Sequence, residues 1–156
     1  MRILGLDPGL RHTGWGVVCR EKENIKAEDW GVISPPANTA MEQRLVALEN
    51  TLETVFKTYT FHAVALEKVL IGKGATSALS LAFAQSVCLL LTGRHKMALH
   101  MYHPTHLKKA LTGNGRATKD TMRFFVQETL ALPPLNHHAA DALALAFLST
   151  TSTPLL

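Results

Sequence analysis

The chain is poor in cysteine, poor in aromatic residues and, over one long stretch, empty of acids. Its 156 residues include two cysteines, Cys19 and Cys88, far apart in apolar segments. That argues against a disulfide framework and against a thiolate zinc site. No run of 18 apolar residues occurs, so no membrane-spanning helix is expected. The opening residues meet an acid at Asp7, too early for the apolar core of a secretory signal. The cytoplasm is therefore the expected compartment. Aromatics make up only 6% of the chain, but hydrophobic residues make up 47%, enough for one core. A single domain over residues 1–149 is expected, followed by a frayed tail at 150–156 that is rich in Ser and Thr.

The missing acids are more informative. From Lys68 to Lys119 there is no Asp or Glu, and the stretch carries eight bases: Lys68, Lys73, Arg94, Lys96, Lys108, Lys109, Arg116 and Lys119. The remainder holds eight bases against 12 acids. A basic block set against acidic flanks points to a polyanionic partner, most simply nucleic acid.

Hydrophobic spacing predicts strands at 2–7, 14–20 and 30–34, separated by turn residues such as Pro8-Gly9, as in an antiparallel meander. Helical spacing follows over 39–58, then an apolar strand at 61–66 ending in Glu67. A helix of small and apolar residues is expected at 75–91, a strand at 97–102, and helices at 106–111, 118–130 and 137–148. Strands separated by helices pair in parallel through crossovers. The expected fold is α/β, with a mixed five-stranded sheet and helices on both faces.

Three acids stand in apolar settings. Asp7 ends the first strand and Glu67 the fourth. If these strands are parallel neighbours, both carboxylates emerge at one sheet edge, where open α/β sheets place their chemistry. Two close carboxylates repel unless a cation lies between them. Asp141 falls in a helix otherwise almost wholly apolar, where a buried carboxylate requires a partner. His138 and His137 lie three and four residues upstream, on a face they can share with it, and Asn136 is placed to cap the helix. Acids and a His–Asp pair from three distant segments suit two Mg²⁺ ions, which together activate water and stabilise a leaving oxygen. Carboxylates for metal and bases for phosphate both point to a nuclease.

The helix at 75–91 is uncharged over seventeen residues. Leu79, Ala82, Phe83, Ser86 and Leu90 form one stripe, and Ala78, Leu81, Gln85, Cys88 and Leu89 another. Two apolar faces on one helix suggest that one meets the sheet and the other a second subunit across a two-fold axis.

The ordered blocks Ile3-Leu4-Gly5-Leu6-Asp7-Pro8-Gly9, Thr13-Gly14-Trp15-Gly16, Leu66-Glu67-Lys68-Val69, Lys73-Gly74-Ala75-Thr76, Thr112-Gly113-Asn114-Gly115-Arg116 and His138-Ala139-Ala140-Asp141 together resemble RuvC-type Holliday junction resolvases, in the ribonuclease H-like superfamily. The resemblance covers almost the whole chain. It implies a homodimeric Mg²⁺-dependent endonuclease, with Mn²⁺ as a substitute, that nicks opposing strands of four-way DNA junctions symmetrically. It further implies recombination and repair at the nucleoid, alongside the RuvA–RuvB branch-migration complex. The family's metal-binding and catalytic positions fall on Asp7, Glu67, His138 and Asp141. Many members carry Asp where this chain has His138. DNA-binding positions fall on Leu70, Lys73, Lys108, Lys109, Arg116 and Lys119. Some members have phenylalanine where this chain has Leu70, so an apolar wedge is expected there. Three other readings fit parts of the pattern: an actin-like nucleotide-binding phosphotransferase, a ribonuclease acting on structured RNA, and a catalytically silent junction-binding module.

Overall fold

The computed structural model describes residues 1–68 and 75–151. The chain runs β1 (Arg2–Asp7), β2 (Thr13–Glu21), β3 (Asn24–Ile33), α1 (Met41–Thr58), β4 (Ala63–Glu67), α2 (Ala75–Arg94), β5 (Ala98–Tyr102), α3 (Pro104–Thr112), α4 (Lys119–Thr129) and α5 (His137–Thr151). The sheet order is β3-β2-β1-β4-β5. β1, β2 and β3 pair antiparallel, whereas β1–β4 and β4–β5 are parallel. No described helix is long and apolar enough to cross a membrane.

Each central strand is buried on both faces, so its side chains divide alternately between two cores. Leu4, Leu6, Val17, Val64 and Leu66 face α1 and α2, packing on Leu48, Leu52, Val87, Cys88 and Leu91. Ile3, Val18, Ala63, Ala65 and Tyr102 face the other way, onto Leu107, Met122, Val126 and the apolar length of α5. By the same alternation Asp7 and Glu67 fall on the α5 side. Both cysteines are buried and unpaired.

The structure shifts several element ends by two or three residues, and three departures bear on the packing. β3 begins at Asn24, not near residue 30. It is an edge strand, and polar Asn24, Lys26 and Glu28 conceal it from a hydrophobic pattern. Lys22, at φ 57°, turns the hairpin. The register shifts where Val17 pairs Asp29 and Val18 pairs Ala27, leaving Glu28 as the extra residue, and its carboxylate takes the Arg2 guanidinium. Second, α3 begins at Pro104, whose fixed φ and missing N–H suit a first turn. Third, α5 runs through Thr151 with Ser149 and Thr150 buried, so the first residues assigned to a frayed tail continue the fold. Ser149 Oγ meets His100 Nδ1 at 2.6 Å, and the Thr150 carbonyl accepts from Arg20 at 2.8 Å. Residues 152–156 lie outside the described residues.

α5 lies unusually close to the sheet. A Cβ on Gly5 would fall far inside contact distance of the Ala142 carbonyl oxygen, and one on Gly14 would do the same at the His138 carbonyl. A Cβ on Gly16 would stand 2.7 Å from Leu143 Cδ2. Replacing Gly5 with Ala must push backbone against backbone. Gly5→Ala is expected to cost at least about 2 kcal/mol in urea denaturation, in the range of core overpacking. Gly93→Ala in α2, where a new Cβ meets nothing within 4 Å, should be neutral or stabilising by up to about 1 kcal/mol. Equal effects of the two would contradict this account of α5 packing.

Candidate active site

In the parallel register Leu6 stands beside Leu66, so Asp7 and Glu67 leave the sheet side by side on the α5 face. Past Asp7 the chain turns at Pro8-Gly9. Buried Thr13 closes this turn, its Oγ1 donating to the Gly9 carbonyl at 2.8 Å and accepting from the Gly9 N–H at 3.2 Å. The first turn of α5 faces the same edge. Asn136 caps it, its Oδ1 accepting from the His138 N–H at 2.9 Å. His138 Nδ1 then lies 3.0 Å from Asp7 Oδ2, and Asp141 follows one turn along.

Asp7, Glu67 and Asp141 line one cleft of about 160 Å³ together with Lys108, Lys119, Pro104, Leu107 and Met122. Gly113, in the left-handed region at φ 76°, ends α3, and Thr118 opens α4 by accepting the Thr121 N–H at 3.1 Å. This turn brings Lys108 and Lys119 over the acids. The notable feature of the cleft is crowded negative charge. Burial, reinforced by Asp7 and Asp141, pushes the Glu67 carboxyl up to about 7. Burial, reinforced by Asp7, pushes Asp141 up to about 6. Lys108 and Lys119 pull both the other way without overcoming the crowding. His138 is raised by its hydrogen bond to Asp7, against the effect of burial.

As the side chains stand, no three His, Cys, Asp or Glu among the described residues converge on a single ion position. The donor chemistry nevertheless fits a hard divalent cation. Three carboxylates line one small cleft, the His138 imidazole is hydrogen-bonded to one of them, and two of the carboxyls are shifted in the direction that an added cation would reverse.

Of the expected DNA-binding bases, Lys108 and Lys119 therefore join the acids in the cleft. Lys109 and Arg116 are exposed and outside it. Leu70 and Lys73 lie outside the described residues. His137 is turned from the site, with Nε2 3.6 Å from Asp120 Oδ1. Sequence reasoning missed two contributors. Gln85, from α2, donates its side-chain amide to the Glu67 carbonyl at 3.0 Å. His12 brings its ring to 5.4 Å from that of His138, centroid to centroid. Its one sequence signal was its position just beyond the turn that follows Asp7.

The family pattern described as crossover junction endodeoxyribonuclease RuvC matches residues 3–149. The chain belongs to the RuvC family. A RuvC from Thermomicrobium roseum is 40% identical over 148 residues, covering 94% of this chain and 90% of that one. One from the Wolbachia of Drosophila simulans is 36% identical, covering 94% and 91%. Among solved structures, Thermus thermophilus RuvC in complex with a Holliday junction substrate superposes with a TM-score of 0.87, at 26% identity and 99% coverage of both chains. The fowlpox virus resolvase, at 14% identity and a TM-score of 0.62, shares the fold. The RuvC match spans every residue of the cleft.

The crowding has a consequence for stability. A carboxyl whose folded pKa is raised stabilises the fold below its ordinary pKa, and that contribution is lost as pH rises through the folded value. The metal-free protein should therefore lose stability between about pH 4.5 and pH 7. For Glu67 alone the loss is of order 3 kcal/mol. Thermal melts at pH 5 and pH 8 measure it. The drop should shrink in Glu67→Gln, and Mg²⁺ or Mn²⁺ should raise the melting temperature at pH 8 more than at pH 5. Parallel pH profiles for the wild type and Glu67→Gln would rule out the crowding account.

Proposed function

We propose that this chain is a structure-specific endonuclease that resolves four-way DNA junctions by paired symmetric nicks in opposing strands. It would act in recombination and repair, in the cytoplasm at the nucleoid, alongside the RuvA–RuvB branch-migration complex. The observation that carries the reading is a cleft in which three carboxylates, one of them hydrogen-bonded to the His138 imidazole, are gathered with two lysines, in a chain of the RuvC family. Lysines hold a phosphodiester, while the acids by themselves would repel it, so the acids need a cation to work on that substrate.

RuvC membership implies dependence on a divalent metal. The finer proposal is two Mg²⁺ ions, with Mn²⁺ as a substitute, held by Asp7, Glu67, Asp141 and His138. When bound, such ions lower the pKa of water and stabilise charge on the leaving oxygen. The chain's own contributions are separable. Lys108 and Lys119 draw the backbone phosphate over the acids. Asp7 orients the His138 ring through Nδ1, which leaves Nε2 as the nitrogen for ligation or for orienting water. Gln85 holds the peptide that carries Glu67. The apolar walls, Leu107 and Met122, limit bulk water around the acids.

The deciding experiment incubates the protein with a mobile four-way DNA junction, with and without Mg²⁺, and maps nicks on all four strands. A folded RNA substrate run in parallel tests the ribonuclease alternative. Asp7→Asn should bind the junction at least as tightly as wild type and cleave it at least about a hundredfold more slowly. Near-normal nicking by that variant would defeat the mechanism.

Paired nicks call for two sites, and the proposal includes a homodimer. The stripe expected to meet a partner is the exposed one. Leu79, Phe83 and Leu90 are 55%, 36% and 56% exposed on the outer side of α2, while Ala84, Val87, Cys88 and Leu91 are buried against the sheet. Cys88 thus belongs to the inner face, and Leu89, which the sequence pattern grouped with it, is exposed. Gln85 is unsuitable for testing the interface because it serves Glu67. Leu90→Glu should leave a monomer that makes uncoordinated single nicks, as read by solution mass and by nick timing. A wild type that is monomeric at micromolar concentration yet cuts both strands in concert would exclude the dimer.

A further inference from the structure

The cleft is not the whole of the site. On the far side of His138 a groove of about 720 Å³ runs between the turn after β1 and helices α1 and α2. Leu10, Arg11, His12, Arg44, Ser80 and Leu81 form most of its wall, and His138 is its boundary with the acids. Among the described residues no carboxylate lines it. The charge of the molecule's edge therefore alternates: lysines over three acids, then His138, then two arginines and a histidine. These last bases come from outside the acid-free stretch and were invisible to the charge count along the chain.

The groove is built rather than incidental. Arg44 donates Nη2 to the Leu10 carbonyl at 2.8 Å, which fixes its guanidinium across the turn, and its buried Nε has no partner among the described residues. Among the described residues neither Arg44 nor Arg11 has a carboxylate in ion-pair range. His12 engages Ser34 Oγ through Nδ1 at 2.9 Å, and among the described residues no hydrogen bond occupies its Nε2. An arginine fork suits phosphate oxygens, and the unengaged imidazole nitrogen adds a donor or acceptor beside it. Leu10 and Leu81 supply apolar wall for a sugar or base. The volume lies in the range of sites that enclose a small organic ligand.

We infer that this groove is the subsite for the nucleotide adjoining the scissile phosphate, with its flanking phosphodiester held by Arg11, His12 and Arg44. The inference rests on the nuclease reading above and extends it. The strand being cut crosses the acids under Lys108 and Lys119 and leaves over His138, so it is gripped on both sides of the reacting bond. A strand gripped on both sides cannot rotate about that bond.

The test uses the full chain, a four-way DNA junction that the wild type nicks, and copies of that junction carrying a neutral methylphosphonate at one or the other phosphate flanking the nick. Arg11→Ala, which removes no side-chain hydrogen bond or ion pair among the described residues, and Arg44→Gln should each bind the junction roughly tenfold more weakly. Each should also shallow the log–log salt dependence of binding by about 0.9. The methylphosphonate at one of the two flanks should weaken wild-type binding by a similar factor and add little to the loss in either variant. Thermal melts check that Arg11→Ala remains folded as wild type. Unchanged affinity and salt slope in both variants would overturn the subsite, and so would full additivity of variant and methylphosphonate at both flanks. A wild type that binds junctions but never nicks them would instead overturn the nuclease reading, and the subsite with it.

Discussion

The constraint on which the rest depends is the seating of α5 directly on the backbone of β1 and β2. Gly5 and Gly14 have no Cβ, and the carbonyl oxygens of Ala142 and His138 occupy the space where one would lie. That close approach brings the first turn of α5 to the end of β1. Because α5 is almost continuously apolar and its residues from Ala142 to Ala146 are fully buried, it cannot slide to relieve the contact without exposing its core face. The 3.0 Å approach of His138 to Asp7 and the nearness of Asp141 to both strand-end acids follow from that seat. The geometry of the candidate site is a property of helix–sheet packing, with a few polar side chains placed at its open end.

That placement sets up an electrostatic conflict, which the surrounding residues reduce without removing. Glu67 and Asp141 are each pushed up by burial and by Asp7, while Lys108 and Lys119 from the α3–α4 turn pull them down. If the lysines had fully neutralised the acids, the cleft would be a structural salt-bridge cluster with no call for a cation. As it stands, the acids remain under-compensated and the lysines remain free to face phosphate. The site thus has capacity for positive charge and for a polyanion together, which is the pairing that metal-assisted phosphodiester hydrolysis requires.

Much of this was legible in the sequence, for definite physical reasons. Two apolar strands that each end in an acid, with a crossover between them, are enough to place Asp7 and Glu67 at one sheet edge, because side-chain alternation is rigid. The spacing from His138 to Asp141 is one helical turn, and an acid in an apolar helix announces that it has partners. What escaped was information held in three dimensions only. The charge count found a basic block but could not tell that Lys108 and Lys119 enter the cleft while Lys109 and Arg116 stay outside it. The polar start of β3 hid an edge strand. Thr150 looked like tail because the end of the chain is rich in Ser and Thr, yet it is satisfied in the interior by a hydrogen bond. Gln85 looked like an interruption in an apolar helix until the structure showed its amide on the Glu67 carbonyl.

Gln85 also shows why α2 matters beyond packing. One face of this helix is buried on the sheet through Ala84, Val87, Cys88 and Leu91. At its edge Gln85 grips the peptide of Glu67, and on its outer face Leu79, Phe83 and Leu90 present apolar surface. A second copy docked on that outer face would therefore bear on the same rigid rod that holds Glu67 in place. Two such rods packed about a two-fold axis would fix the separation of the two acid clefts, because the interface helix is itself hydrogen-bonded to the Glu67 peptide. Symmetric cuts in opposing strands need that fixed separation. A long linker between two independent nucleases would not supply it, since the distance between their sites would fluctuate with the linker. A helix that is apolar on two faces, and hydrogen-bonded to the strand end that carries Glu67 from between them, would meet the requirement with one element.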